Sequence, residues 1–357
     1  MSEPIAAEGL TGREQALLAL VAGVTALAGV LHYAGAPGVT AFVGATAALA
    51  GLAWIVSFAT EQVGQRFGPA FTGVLQSTLG NLPEFFVVIF ALGAGEIVVA
   101  KFSLIGSIFA NALFVLGLVI VVGARESSDG IMRFSHRLPR DTATLMLLSV
   151  FIIALMGLSL SSGDPASHHT KAISTIGALV LLLVYASWVV PYVRGDHADL
   201  PAAPPRLPLG LSVALLAVGG TAAAFVSEWF IDALNPAIDA LGISKQFAGL
   251  VIVAIAGNAV ENFTGLVLAH KGQADLAISV VKNSVAQIAA FLFPALVLVS
   301  LLFTTPLTFA LAPLYIGALV LTALVVWQVT GDGEASAFEG WALVGIYVIL
   351  AAFTLYE

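Results

Sequence analysis

The chain has 357 residues, of which 59% are hydrophobic and 10% are charged, and its formal net charge is −8. A soluble globular domain carries roughly 25% charged residues, so this composition indicates a protein that lies in lipid. The absence of cysteine excludes a disulfide framework and thiolate chemistry, and 13 basic residues spread over many loops disfavour nucleic-acid binding.

Uncharged apolar runs between charged or Pro/Gly-rich breaks predict eleven membrane helices. We expect them at about residues 15–34, 40–59, 70–94, 98–122, 141–160, 172–193, 208–233, 246–269, 273–302, 307–329 and 339–356. Nine basic residues fall in loops on the same side of the predicted membrane as the N-terminus, and three fall in loops on the opposite side. The positive-inside rule therefore predicts a cytosolic N-terminus and an external C-terminus in the plasma (inner) membrane. The expected fold is an all-α, multi-pass membrane protein.

Part of the chain repeats. The hexapeptide GNLPEF, which starts at Gly80, matches GNAVEN, which starts at Gly257, and Ser107 matches Ser284 at the same spacing of 177 residues. A second pair of segments, FATE and FVSE, matches at a spacing of 167, and we expect the ten extra residues in a longer loop around Asn235–Lys245. Repeated segments of this kind are typical of transporters.

The two copies are predicted to be inverted, because an odd number of helices separates the second helix from the seventh. The expected divisions are residues 1–39 (N-terminal tail and first helix), 40–193 (first repeat), 194–207 (cytosolic linker) and 208–357 (second repeat).

Each copy contains the pattern G-N-x-x-E with its glutamate well inside a predicted helix. An ionisable group there costs about 2.5–3.5 kcal/mol on insertion scales, so it needs a compensating partner. On a helix, Asn and Glu three residues apart project from one face, and two copies would supply an all-oxygen set that suits Ca²⁺. The predicted calcium ligands are Glu84, Glu261, Asn81 and Asn258, with Gly80 and Gly257 allowing close backbone approach.

In the first copy, Pro83 is expected to leave the Leu79 carbonyl without its helical partner and so free it for a ligand. The alternative explanation of the pattern is helix packing through glycine with a polar clamp. It accounts for either motif alone better than for two matched copies.

Further polar residues lie on the fourth and ninth predicted helices. We expect Ser107, Asn111, Ser284 and Gln287 to position the glutamates without binding the ion themselves. The alternative is that they make ordinary interhelical hydrogen bonds. Lys282 is interpreted as a side chain that reaches toward the loop, with a countercharge in the ion path as the alternative.

These motifs carry a family resemblance. GNLPEFFVVIFAL and GNAVENFTGLVLA resemble the two alpha-repeat signatures of the calcium/cation antiporter superfamily. SFATE, FVSEWFIDAL, GSIFANALFVLGL and NSVAQIAAFLFP are similar to segments of its calcium/proton exchanger branch. The resemblance implies eleven helices, with the third and eighth crossing at mid-membrane and binding calcium through their glutamates. It also implies that Glu61 and Glu228 line a proton and cation pathway on the cytosolic side.

The chain departs from that pattern in three places. Asn262 stands where proton-coupled members usually have histidine, so a proton relay through that histidine is absent or moved elsewhere. Asn283 precedes Ser284 where glycine is usual, and the acidic stretch of the linker is reduced to Asp196, His197 and Asp199.

The leading interpretation is a secondary antiporter, not an enzyme, that exchanges cytosolic calcium for protons by alternating access. Calcium is its substrate, no cofactor is expected, and the chain has no G-x-x-x-x-G-K-[ST] motif for a nucleotide. Sodium/calcium or other divalent-cation exchange on the same scaffold is the alternative, and a homo-oligomer stays open. A cation channel is disfavoured by the inverted repeat.

Overall fold

The computed structural model describes residues 9–67, 75, 78–135, 137–194 and 205–357. Two compact units are present: unit 1 is Met1–Val87 with Trp188–Gly242, and unit 2 is Val88–Ser187 with Ile243–Glu357. Each unit draws on both predicted repeats, and the repeat boundaries drawn from the sequence stay a prediction.

The described part of the chain is almost entirely helical. Its elements are α1 (Gly12–Tyr33), α2 (Gly38–Gly64), α3 (Leu82–Gly93), α4 (Ile97–Glu126), β1 (Ile131–Arg133), α5 (Arg137–Ser162), α6 (Thr170–Arg194), α7 (Leu209–Leu241), α8 (Lys245–Gly257), α9 (Ala259–His270), α10 (Ala274–Leu302), α11 (Pro313–Thr330), β2 (Glu334–Ser336) and α12 (Ala337–Leu355). Nine of these described helices are long and apolar enough to cross a membrane, and α8 with α9 makes a tenth span if the bent pair is counted as one. The chain is a multi-pass integral membrane protein.

The predicted helix count is matched in part. The third predicted helix, at 70–94, overlaps residues 68–74 and 76–77, which lie outside the described residues, and α3 is its described portion. The all-α expectation is wrong in one detail, because β1 and β2 pair as an antiparallel two-stranded sheet. These strands come from loops far apart in the chain, which local sequence patterns do not reveal.

The predicted loop around Asn235–Lys245 is also wrong. Helix α7 continues to Leu241 with Pro236 inside it, so most of the extra residues lengthen a helix. A methyl group added at Gly38 would lie 2.5 Å from Cβ of Pro236, which shows that α2 begins directly against this part of α7.

Helix boundaries recur at the same spacing as the two motifs. Helices α3 and α9 begin at Leu82 and Ala259 and end at Gly93 and His270, and the next helices begin at Ile97 and Ala274. The intervening turns each use a glycine with positive φ, at Gly95 (77°) and Gly272 (70°), a conformation that disfavours other residues. Both following helices contain π-helical turns, at Ala110–Val115 and Ile288–Leu292.

Glycines bring α4 and α8 into backbone contact within unit 2. A Cβ added at Gly106 would lie 2.4 Å from Cα of Leu250, and one added at Gly249 would lie 2.8 Å from Cβ of Phe102. Small residues of this kind permit close helix packing in lipid, where packing rather than the hydrophobic effect drives association.

Gly106→Ala is expected to destabilise unit 2 by about 1–3 kcal/mol, because the added methyl group overlaps backbone atoms that cannot move aside. The matched control is Gly317→Ala in α11, where an added Cβ meets nothing within 4 Å. Thermal unfolding of both variants in detergent is the measurement. Equal melting temperatures would contradict this account of the packing.

Candidate functional site

The first G-N-x-x-E motif lies at a break in the helical chain of unit 1. Gly80 and Asn81 form a turn, α3 begins immediately after it, and Glu84 is the third residue of that helix. Pro83 therefore occupies the first turn of a new helix, where proline is tolerated, and the expectation of a continuous helix around it is wrong. Asn81 and Glu84 are buried, with 3% and 1% of their surfaces exposed. A carboxylate in the first helical turn is stabilised by the helix dipole.

The second motif lies at a matching break in unit 2. Helix α8 ends at Gly257, Asn258 follows, and α9 begins at Ala259, with a bend of 56° between Lys245–Gly257 and Asn262–His270. Glu261 is the third residue of α9, as Glu84 is of α3; its side chain lies outside the described part of the structure. Both glutamates thus belong to the first turn of a helix that follows a Gly-Asn break.

Asn258 is the centre of a buried polar network in unit 2, which we call the asparagine–serine cluster (Ser107, Asn111, Asn258 and Ser284). Its Nδ2 donates to the Ala254 carbonyl at 2.9 Å and to Oγ of Ser107 at 2.8 Å. Its Oδ1 accepts from Nδ2 of Asn111 at 3.1 Å, and that Nδ2 also donates to Oγ of Ser284 at 3.2 Å. Three of the four predicted supporting residues are therefore linked to Asn258.

The orientation of both amides follows from one backbone carbonyl. A carbonyl oxygen only accepts, so Ala254 fixes the amide nitrogen of Asn258 on its side, and Oδ1 of Asn258 must face the amide nitrogen of Asn111. Oδ1 of Asn111 is then left buried, with no hydrogen-bond partner among the described residues. The oxygen of Asn258 has a second lone pair available for a cation.

Local capping does not explain the second motif. Asparagine followed by glutamate three residues later is also a helix N-cap pattern, yet Asn258 makes no side-chain capping hydrogen bond. Its side chain instead contacts α4. Gln287, the fourth predicted supporting residue, is buried with 4% exposed and makes no hydrogen bond to the cluster in the described part of unit 2.

Lys282 faces away from the cluster. It lies two residues before Ser284, about 200° around the helix, and its Nζ donates to Oγ1 of Thr330 at 2.5 Å. Thr330 is the last residue of α11, where the helix dipole favours a positive charge. Lys282 is buried, with 5% of its surface exposed, so its ammonium group does not reach solvent as expected, and its bond to Thr330 argues against a countercharge beside Ser284.

Glu61 lies at the end of α2 that contacts the start of α7. The neighbouring Gln62 accepts hydrogen bonds from the backbone N–H groups of Arg206 and Leu207 at 3.0 and 3.3 Å. Glu61 itself is half-buried and accepts a hydrogen bond from Nε2 of Gln65 at 3.0 Å. Arg206 is one of the nine basic loop residues counted in the sequence, and no local pattern predicts its contact with Gln62.

Glu228 lies toward the other end of the same helix pair. Helices α2 and α7 run antiparallel, with the Phe42 ring packed on Phe230 and Gly219 against Ile55. Since Glu228 is close to Phe230, it lies roughly 20–25 Å from Glu61 along the helix axis. Each glutamate lies in the C-terminal half of its helix, and antiparallel helices place those halves at opposite ends of the pair. The pathway role that the resemblance implies for Glu61 and Glu228 stays a prediction.

No group of three or more His, Asp or Glu side chains forms a metal cluster among the residues that the structure describes. The predicted ligand set takes one carboxylate and one amide from each motif. It therefore contains only two such side chains and differs from a cluster of three or more. Its carboxylates would be joined by amide and backbone oxygens, which calcium accepts.

Three comparisons identify the family. The family model described as sodium/calcium exchanger protein matches residues 37–192 and 211–356. The vacuolar calcium ion transporter of Schizosaccharomyces pombe is 32% identical over 85% of this chain and 76% of its own length. The Ca²⁺/H⁺ antiporter of Synechocystis sp. is 30% identical over 90% of this chain and 92% of its own length.

The fold agrees with these matches. The solved structure of native YfkE superimposes with a TM-score of 0.81 at 24% identity, covering 96% of this chain and 100% of that one. With two broken-helix motifs, a buried polar cluster and family matches along most of its length, the chain belongs to the sodium/calcium exchanger protein family.

Proposed function

We propose that this chain exchanges cytosolic calcium for protons, with Glu84 and Glu261 as the shared binding groups. The observation that carries the proposal is the pair of matched breaks, each of which places a glutamate in the first turn of a helix after Gly-Asn. Relatives named as Ca²⁺/H⁺ antiporters support protons as the counter-ion.

The chemistry follows from burying carboxylates in lipid. An ionised carboxylate without a counter-ion has a high free energy in a low-dielectric site, and binding either a proton or a cation lowers that free energy. Calcium brings two positive charges and requires ionised carboxylates, whereas protons require them neutral, so the two occupants exclude each other. Oxygens of Asn81 and Asn258, with carbonyls freed at Gly80 and Gly257, complete the proposed ligand set.

Alternating access then couples the two fluxes. The charge of the site is neutralised both when it is protonated and when it holds calcium, so the protein can change between inward-facing and outward-facing states in either case. When the site is empty and ionised, the bare charge makes that change unfavourable. This asymmetry produces exchange without a histidine, which is consistent with Asn262 in the second motif. Neither a cofactor nor a nucleotide takes part.

We further propose eleven helices arranged as one extra helix and two inverted repeats, with divisions near residues 39, 193 and 207. Recurring helix boundaries, positive-φ glycines and π-helical turns support the repeat. The basic-residue bias of the loops supports a cytosolic N-terminus. Two contacts support the predicted topology by joining segments that it puts on one side: Arg206 with Glu14 in unit 1, and β1 with β2 in unit 2. The inner (plasma) membrane is the proposed location.

Calcium uptake into proteoliposomes tests this function. We expect uptake to follow an imposed pH gradient, acidic inside, and to stop when an ionophore dissipates that gradient. A sodium gradient of equal size should drive none. Uptake driven only by sodium would instead support sodium/calcium exchange, and downhill flux indifferent to both gradients would indicate a channel.

A further inference from the structure

Tyr347 of α12 lies where two π-helical turns of unit 2 meet. Its ring packs on Phe114 of α4, with 5.3 Å between the ring centroids and 35° between the ring planes. Its hydroxyl donates to the Leu250 carbonyl of α8 at 3.4 Å, and only 3% of the residue is exposed. Phe114 belongs to the π-helical turn Ala110–Val115, and Leu250 belongs to a second such turn, Ala248–Val253. One buried tyrosine therefore contacts both turns.

The hydroxyl of Tyr347 supplies a donor that the turn in α8 diverts elsewhere. In a regular α-helix the Leu250 carbonyl would accept from the N–H of Ala254, four residues later. That N–H donates instead to the carbonyls of Gly249 and Val251. A buried carbonyl that loses its helical donor needs another one, so the tyrosine hydroxyl stabilises the turn in its π-helical form.

The two turns also meet at the predicted ligand Asn258. Its Nδ2 donates at 2.9 Å to the carbonyl of Ala254, the first residue after the turn in α8. Its Oδ1 accepts at 3.1 Å from Asn111, which lies in the same π-helical turn as Phe114. These contacts form a closed circuit, which we call the contact ring: Tyr347, Leu250, Ala254, Asn258, Asn111 and Phe114.

Glycines keep the helices of the contact ring at a fixed spacing. A Cβ added at Gly106 would lie 2.5 Å from the carbonyl oxygen of Leu250, which shows that α4 touches α8 through backbone atoms. A Cβ added at Gly340 would lie 2.6 Å from the carbonyl oxygen of Gly117, which shows the same for α12 and α4. Backbones packed this closely have little freedom to separate, so a change at one contact of the ring is passed to the others.

We propose that Tyr347 is a positioning residue for calcium, which holds the rotation of α8 against α4 and thereby aims the Asn258 oxygen at the ion. The inference rests on the proposed function, in which Asn258 is a ligand. It assigns a part in ion binding to α12, a helix that carries none of the predicted site residues.

The proposal predicts an effect on affinity alone. An amide oxygen that is turned away from the ion weakens binding, but it carries no charge and so does not alter the ionisation of Glu84 or Glu261. The loss of calcium affinity should therefore be the same factor at every pH. The maximal rate of transport should stay near the wild-type value.

The test is equilibrium calcium binding to the purified protein, with proton-driven calcium uptake measured in parallel. Tyr347→Phe keeps the ring on Phe114 and removes only the hydroxyl. We expect it to raise the Kd for calcium about twofold to fivefold, the size expected for one long hydrogen bond between neutral groups. A plot of affinity against pH should shift in parallel without changing shape. A merely structural role would lower the melting temperature and leave the Kd of the folded protein unchanged.

Asn258→Ala provides the decisive background. This variant has no ligand oxygen to aim, so adding Tyr347→Phe to it should not raise the Kd further. Tyr185→Phe is the matched control, because Tyr185 is also buried, with 5% exposed, and packs on Phe291 at 5.4 Å and 33°. It lies outside the contact ring, so its variant should bind calcium as the wild type does.

Three results would each overturn the inference: an unchanged Kd in Tyr347→Phe, an equal rise in the Asn258→Ala background, or an equal rise in Tyr185→Phe. Absence of proton-driven calcium uptake in the wild type would instead overturn the proposed function. Should Tyr347→Phe fail to fold, Phe114→Leu breaks the contact ring at its other aromatic side. It should then raise the Kd in the wild type and not in the Asn258→Ala background, and any other outcome would overturn the inference.

Discussion

Glu84→Gln and Glu261→Gln are each expected to abolish calcium transport while leaving the protein folded. Glutamine keeps the size of the side chain but removes the charge, and one neutral amide oxygen does not replace a carboxylate against a divalent ion. Losing one buried charged partner weakens binding by at least about 30-fold in comparable sites. Because Glu84 has 1% of its surface exposed, water cannot substitute readily for the lost oxygen.

The measurement is calcium uptake together with melting temperature for each variant. Glu334→Gln is the matched control, because Glu334 is an exposed glutamate of β2 paired with Arg133 and lies outside the proposed site. Asn81→Ala and Asn258→Ala should weaken calcium binding less than the glutamine variants, since each removes a neutral oxygen and leaves both carboxylates in place. Near-normal uptake in either Glu84→Gln or Glu261→Gln would remove that residue from the ligand set.

The sequence reveals the long spans and the paired motifs because both are local signals. Apolar runs of about 20 residues mark α1, α2 and α4 directly, and the recurrence of G-N-x-x-E needs no knowledge of neighbours. Burial of Glu84 and Asn258 also follows from their position within apolar segments.

Other features depend on partners far away in the chain. The break before Pro83 depends on the turn formed by Gly80 and Asn81. Hydropathy averaged over a window of residues does not detect this turn, because the surrounding segment is apolar. The pairing of β1 with β2 joins residues 131–133 to residues 334–336, and neither strand has an apolar pattern of its own.

The position of Glu228 depends on long-range pairing for a related reason, because it follows from the antiparallel packing of α2 on α7. Matching FATE with FVSE pairs Glu61 with Glu228, but the match does not give the direction in which the two helices that carry them run. The contacts of Arg206 also depend on distant partners, because they join it to Gln62 and Glu14, more than 140 residues away.

Calcium affinity is expected to fall as pH falls, because the proposed function has calcium and protons competing for the same two carboxylates. At alkaline pH the site is ionised and affinity reaches a plateau. At acidic pH each calcium must displace the bound protons, so affinity drops by about tenfold per pH unit for one displaced proton and about a hundredfold for two. Sodium at moderate concentration should not change this dependence.

Titration calorimetry of the purified protein between about pH 5 and pH 8 tests the competition directly. Repeating each titration in buffers with different ionisation enthalpies counts the protons released per calcium bound. The account predicts that the wild type releases between one and two protons per calcium, with affinity that weakens toward acid, and that Glu84→Gln loses most of both effects. A calcium affinity that is constant across this range, with no proton release, would contradict exchange of calcium for protons at these glutamates.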